Sequence, residues 1–226
     1  MIDNAKFFQD LVGRLVLTPV TLRRVFVLLT RLHYSDPANY GEFSERFKHF
    51  IWSADPKIRQ LHIDYDYNYN PAAIDRRPAI YVGTDDLEYR KTVLDNHNQC
   101  TPDRSGELKN KVAVTKIIIR HIGATADETL AMADLSAQFF MGIGSMMKDA
   151  LGQRLMEYEV VGVKNSRPFE KSGEQADQNF IADLLISFAY NAVWLIKYES
   201  HRIKTITLEQ SIAELGNPRY SEGTTQ

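Results

Sequence analysis

The stretch Lys111–Phe140, KVAVTKIIIRHIGATADETLAMADLSAQFF, decides how this chain folds. From Lys111 to Ile122 it concentrates β-branched side chains (Val112, Val114, Thr115, Ile117, Ile118, Ile119), which suit the pleated surface of a strand. Gly123 closes that run. Thr125 followed by Glu128 then reads as a capping box, so a helix starts at Ala126. Leu130, Ala133, Ala137 and Phe140 recur at three- and four-residue spacing, and the pattern continues towards Lys148. A strand that feeds a capped amphipathic helix predicts an α+β unit of two layers, with the helix on one face of the sheet.

Working outward towards the C-terminus, Gly142 and Gly144 weaken the helix and predict a kink or a close approach, and Gly152 ends it. Leu155 to Val163 reads as a further strand, followed by a turn from Arg167-Pro168 to Gly173. From Ala182 to Tyr198 every even position is apolar or small. That pattern predicts one very long strand or two in sequence, because strands usually run to about 5–6 residues. The tail after Gly216 is polar.

Towards the N-terminus, Phe7, Phe8, Leu11 and Leu15, then Leu22, Val25, Phe26 and Leu29, predict two helices separated at Thr18-Pro19. Phe43, Phe47, Phe50 and Ile51 suggest a third, beginning after Gly41 and ending before Asp55-Pro56. The period then changes to two. In Leu61–Asn70, Ile63, Tyr65, Tyr67 and Tyr69 alternate with His62, Asp64, Asp66 and Asn68, as a half-exposed strand requires. Ala79–Val82 reads as a short strand, and Thr84 to Asn110 as a long polar loop with one helical turn near Leu87 to Leu94. The expected organisation is a helical module over 1–55, an α+β domain over 56–212 with a mostly antiparallel sheet packed by a long helix, and a polar tail over 213–226.

Composition narrows the function. With 226 residues the chain can bury a sizeable core without staples, and its one cysteine, Cys100, cannot form an internal disulfide. Nothing near Met1 predicts a signal peptide, and the apolar run around Leu184 to Ile196 falls short of the roughly 20 residues a bilayer needs. A soluble protein made in the cytosol is therefore expected, with no membrane partner. The formal net charge of −2 argues against a chain whose main task is gripping phosphates. Leu11 to Ser35 nevertheless holds Arg14, Arg23, Arg24 and Arg31 and no acidic residue, which fits a solvated helix face or a surface for DNA or an acidic partner.

Several residues could carry chemistry. His62, Asp64 and Asp66 project from one side of one strand and could offer a nitrogen and two oxygens to a metal. A wet strand face looks the same, and no second cluster stands nearby to complete the coordination, so neither a metal nor a cofactor is expected. His97, His121 and His201 lack a recognisable catalytic partner, and Cys100 beside His97 lies in a polar loop. The common nucleophile, phosphate-loop, zinc and dinucleotide motifs are missing, so no enzyme is expected. The capped helix also carries a second apolar stripe, Met132, Leu135, Phe139, Ile143 and Met146. A helix lying on a sheet needs one stripe, so the second must meet the N-terminal helices or another subunit.

The order of these pieces, strand Val112–Ile122, helix Ala124–Phe139, strand Leu155–Val163, polar turn and a final aromatic-alternating pair ending near Lys204, resembles the tail-terminator and tail-completion proteins of tailed bacteriophages. The resemblance spans roughly residues 60 to 210 and is one of pattern. It implies a homo-oligomeric ring, usually hexameric, that caps the tail tube and joins it to a neck or head-completion protein within the virion. DNA would pass through the lumen without specific binding. Asp85, Asp86 and Glu88 could line that lumen, although a solvated loop tip reads the same way. A neck connector, a head-completion protein or a sheath-capping protein is the nearest structural alternative, and a metal-dependent hydrolase built on His62, Asp64 and Asp66 is the alternative of a different class.

Overall fold

The computed structural model describes residues 17–43, 45, 47–68, 78–90, 99–100, 106–169, 179–199 and 202–208. It is an α+β fold, with a mixed sheet and helices packed together. The predicted helix around Phe7 to Leu15 and the C-terminal tail lie outside the described residues.

Helix α1 (Pro19–His33) begins where the sequence predicts a break. Thr18 caps it: the Thr21 amide donates to Thr18 Oγ1 at 3.1 Å, and the Thr18 amide donates to Thr21 Oγ1 at 2.8 Å. Pro19 occupies the first turn, where its missing N–H costs nothing. Leu22, Val25, Phe26, Leu29 and His33 are buried. The third predicted helix does not form as expected. A 3-10 segment at Pro37–Phe43 stands ahead of it, kinked at Gly41 with φ 57°, and the chain around Phe47 to Phe50 turns. Phe47 and Phe50 serve the core as loop anchors: Phe50 is buried, its ring stacks on Phe47 at 5.6 Å, and its carbonyl accepts from the Tyr40 hydroxyl.

Strand β1 (His62–Tyr65) is shorter than predicted, because Asp66–Asn68 turns into a 3-10 segment. It pairs in parallel with β2 (Ala79–Thr84). The supposed loop after Thr84 contains more strand than its composition suggests. β3 (Glu88–Arg90), β4 (Gln99–Cys100) and the start of β5 (Gly106–Gly123) all fall within it. Glu88 to Arg90 is extended, where a helical turn was expected, because it pairs with Val112 to Val114 on β5.

After β5 come α2 (Ala126–Gly142) and α3 (Gly144–Leu151), joined at Ile143 where the glycines predict a break. The cap differs in one detail from the expected box. Glu128 accepts from the Ala124 amide at 2.7 Å, while its own amide donates to Thr125 Oγ1 at 3.1 Å. Gly152 ends α3 at φ 53°. Then follow β6 (Leu155–Val163), β7 (Arg167–Phe169), β8 (Asn179–Glu199) and β9 (Arg202–Leu208). The even-position pattern thus resolves as one strand of 21 residues.

The spine is the antiparallel pairing of β5 with β8, unbroken in register from Gly106↔Lys197 to Gly123↔Phe180. β2, β3 and β4 line the free side of β5, and β6, β7 and β9 line the free side of β8. Alternation then sorts the faces. Ala113, Thr115, Ile117, Ile119 and His121 are buried opposite Tyr190, Phe188, Ile186, Leu184 and Ala182. Phe26 of α1 stacks on Phe140 of α2 at 5.3 Å and meets the edge of Phe188 at 6.2 Å. The N-terminal helix therefore belongs to the same core as the sheet, and the expected boundary at residue 55 does not separate two cores.

Candidate functional site

The residues singled out for metal binding lie at the β1 edge, where α1 crosses β1 and β2. The turn after Tyr65 takes Asp66 off the strand and lays its carboxylate over Gly83. A Cβ at position 83 would stand 2.4 Å from Asp66 Oδ2, so the missing side chain makes room for that approach. Arg23 reaches across from α1, with Nη1 at 3.2 Å from Asp66 Oδ1 and Nη2 donating to Thr84 Oγ1 at 2.8 Å. Its guanidinium also stands over Tyr67, which stacks on Tyr65 at 5.1 Å.

Arg31, two helical turns further on, donates from Nη2 to the Ile63 carbonyl at 2.8 Å, lies 3.8 Å from Asp64 Oδ1 and stacks on Trp52. Asp64 also accepts from Asn68 Nδ2 at 3.0 Å and from the Tyr65 amide at 2.9 Å, while His62 Nε2 is 3.9 Å away. Each carboxylate faces its own guanidinium, so His62, Asp64 and Asp66 do not converge on one point. Among the described residues no three His, Cys, Asp or Glu side chains gather as a metal would need. The same contacts turn Arg23 and Arg31 inward, leaving Arg24 as the exposed arginine of α1. Arg14 lies outside the described residues.

The second apolar stripe on α2 and α3, expected to meet another subunit or the N-terminal helices, is covered by the chain itself. Met132, Leu135 and Ile143 are buried within the chain, and Phe139 and Met146 pack against its core. The covering comes from the N-terminal part: His33 stacks on Phe139 at 4.4 Å, and the Tyr34 hydroxyl donates to the Met132 carbonyl at 2.8 Å. His33 is itself buried, and among the described residues neither ring nitrogen has a hydrogen-bond partner. Burial lowers its pKa from 6.5 to about 4.

Asp85 and Asp86 are exposed in the link between β2 and β3. The backbone holds them, since the Asp85 amide donates to the Lys116 carbonyl at 2.8 Å and Thr115 Oγ1 donates to the Asp85 carbonyl at 3.1 Å. Glu88 does not share their loop. It is on β3, 2.9 Å from Arg90, which holds its carboxyl below the usual range.

A buried polar chain escaped the sequence reading. Ser136 Oγ lies 2.8 Å from His121 Nε2 and 3.0 Å from the Tyr34 hydroxyl, and His121 Nδ1 lies 3.3 Å from the Ala182 carbonyl. The chain ties α1, α2, β5 and β8 together. Both Ser136 and His121 are fully buried, and burial takes His121 down to about 4 against the pull of the Ala182 carbonyl and Asp183. Tyr34 is pushed up, chiefly by burial. A serine beside a histidine has nucleophile chemistry available in principle, but both side chains are fully buried and the serine is shared with a tyrosine. Its geometry is that of a satisfied internal network. Nothing in linear spacing could have joined residues 34, 121 and 136. His97 and His201 lie outside the described residues, as does the Cys100 side chain.

No protein-family model matches this chain, and comparison with curated proteins finds no match. No described helix is long and apolar enough to cross a membrane.

Proposed function

We propose that this chain is a structural subunit of a phage virion, forming a ring that terminates the tail tube and joins it to the neck or head. The observation that carries the reading is the order β5, α2, β6, β8 in one sheet, with the helices on one face. This is the order of pieces in which the sequence resembles tail-terminator and tail-completion proteins. Two further features support it. Among the described residues, the groups best placed for chemistry are engaged with one another, in guanidinium–carboxylate pairs at the β1 edge or in the buried chain through His121. Apolar side chains are also left outside the core on α1 and β6, where a partner protein could cover them. In the ring, Asp85 and Asp86 would present negative charge to passing DNA.

Electron microscopy of virions lacking the protein tests this. Tails of uncontrolled length, or heads without tails, are the expected outcome. Intact virions of normal tail length would overturn the proposal.

A further inference from the structure

The sheet path β1-β2-β5-β8-β6 has an apolar patch outside the core at each end. The first is on α1, which packs on β1 and β2. Val20, Leu28 and Leu32 are 56%, 46% and 44% exposed. They follow the four-residue rung 20-24-28-32, turned away from the buried face, with Arg24 between them. α1 has no acidic residue, and of its three arginines Arg24 is exposed while Arg23 and Arg31 face Asp66 and Asp64.

The second patch is on β6. Met156 and Val161 are each 55% exposed, and both are the extra residue at a register shift against β8. Glu157 and Glu159 are exposed between them, and β6 carries no Lys or Arg. Two bulges in one strand interrupt the ladder that an incoming strand would need. A partner therefore meets β6 through side chains. The spans agree: Val20 to Leu32 covers about 18 Å of helix, and Met156 to Val161 covers about 16 Å of strand.

We propose that α1 of one copy docks on the β6 edge of a second copy, with Val20, Leu28 and Leu32 against Met156 and Val161, and Arg24 against Glu159. Because the two patches differ and lie at opposite ends of the sheet, the contact is head-to-tail and repeats from copy to copy until it closes. The inference rests on the ring reading for its second copy and adds the surfaces that meet.

Light scattering of the full chain over a concentration series tests it, using Arg24→Glu, Glu159→Arg and the combination. Each single variant is expected to raise the concentration of half-assembly about tenfold or more, since like charges then face each other at every contact. The combination, and an equimolar mixture of the two single variants, are expected to assemble again. Circular dichroism confirms that each variant is folded. Should one fail to fold, Leu28→Ser and Val161→Ser probe the same two patches and are expected to dissociate the assembly. A wild type that is monomeric throughout overturns both this interface and the ring. A wild-type assembly that survives both single variants overturns the interface and leaves the ring standing. Dissociation by Arg24→Glu with Glu159→Arg unaffected, or no recovery in the combined variant, also overturns it.

Discussion

Lowering the pH from 7 to 5 should destabilise this protein through two buried histidines, and His33→Phe should remove half of that effect. His33 and His121 each have a folded pKa of about 4 against an ordinary 6.5. Their charged forms are disfavoured in the folded state, so the unfolded chain binds more protons and stability rises with pH. The contribution is complete above pH 6.5 and is lost progressively as pH falls towards 4. Linkage gives about 2 kcal/mol per histidine at pH 5, hence about 4 kcal/mol for the pair, against a total of roughly 5–15 kcal/mol for a domain. Phenylalanine at 33 keeps the stacking on Phe139 and removes two buried nitrogens that have no partner among the described residues. Urea denaturation at pH 7 and pH 5 reads the outcome. The variant should match or exceed the wild type at pH 7 and lose about 2 kcal/mol less between the two. An unchanged pH dependence in His33→Phe would refute the assignment of acid sensitivity to His33.

Other substitutions probe the contacts that build the fold. Ser136→Ala leaves His121 and Tyr34 without their shared partner and should cost about 1–3 kcal/mol in thermal or chemical unfolding. Arg120→Ala removes the 2.8 Å partner of buried Asp183 and leaves Arg167 at 3.9 Å, so a loss of about 2–3 kcal/mol is expected in chemical unfolding. Asp66→Ala, at an exposed carboxylate, should change stability by about 1 kcal/mol or less. Gly123→Ala would place a Cβ 2.6 Å from Thr129 Oγ1 and 2.8 Å from Glu128 Oε2, and the melting temperature should fall because both side chains must shift and Glu128 then loses its hold on the Ala124 amide.

The α2 cap, the Gly142/Gly144 break and the long strand at the end were legible because each depends on neighbours in sequence. Thr125 and Glu128 meet within one turn, and even-position alternation needs only the pleat. What escaped depends on distant partners. Glu88 to Arg90 reads as loop because its strand character comes from pairing with β5. Phe43 to Ile51 has helical spacing, yet Phe47 and Phe50 stack in a turn that packs on the core. The His62-Asp64-Asp66 alternation was visible, whereas the guanidinium groups that engage its two carboxylates arrive from a helix more than thirty residues earlier. The second stripe on α2 needs a cover, as its spacing indicates, and only the packing of Tyr34 and His33 identifies the chain's own N-terminal part as that cover.

The proposed ring requires this chain to assemble with copies of itself. Light scattering of the purified full chain across micromolar concentrations measures that directly. A discrete closed assembly of about six subunits is predicted, as the resemblance implies and as head-to-tail contacts allow. A particle that keeps the single-chain mass of 25.9 kDa at every concentration, while turning over a small substrate, would contradict it.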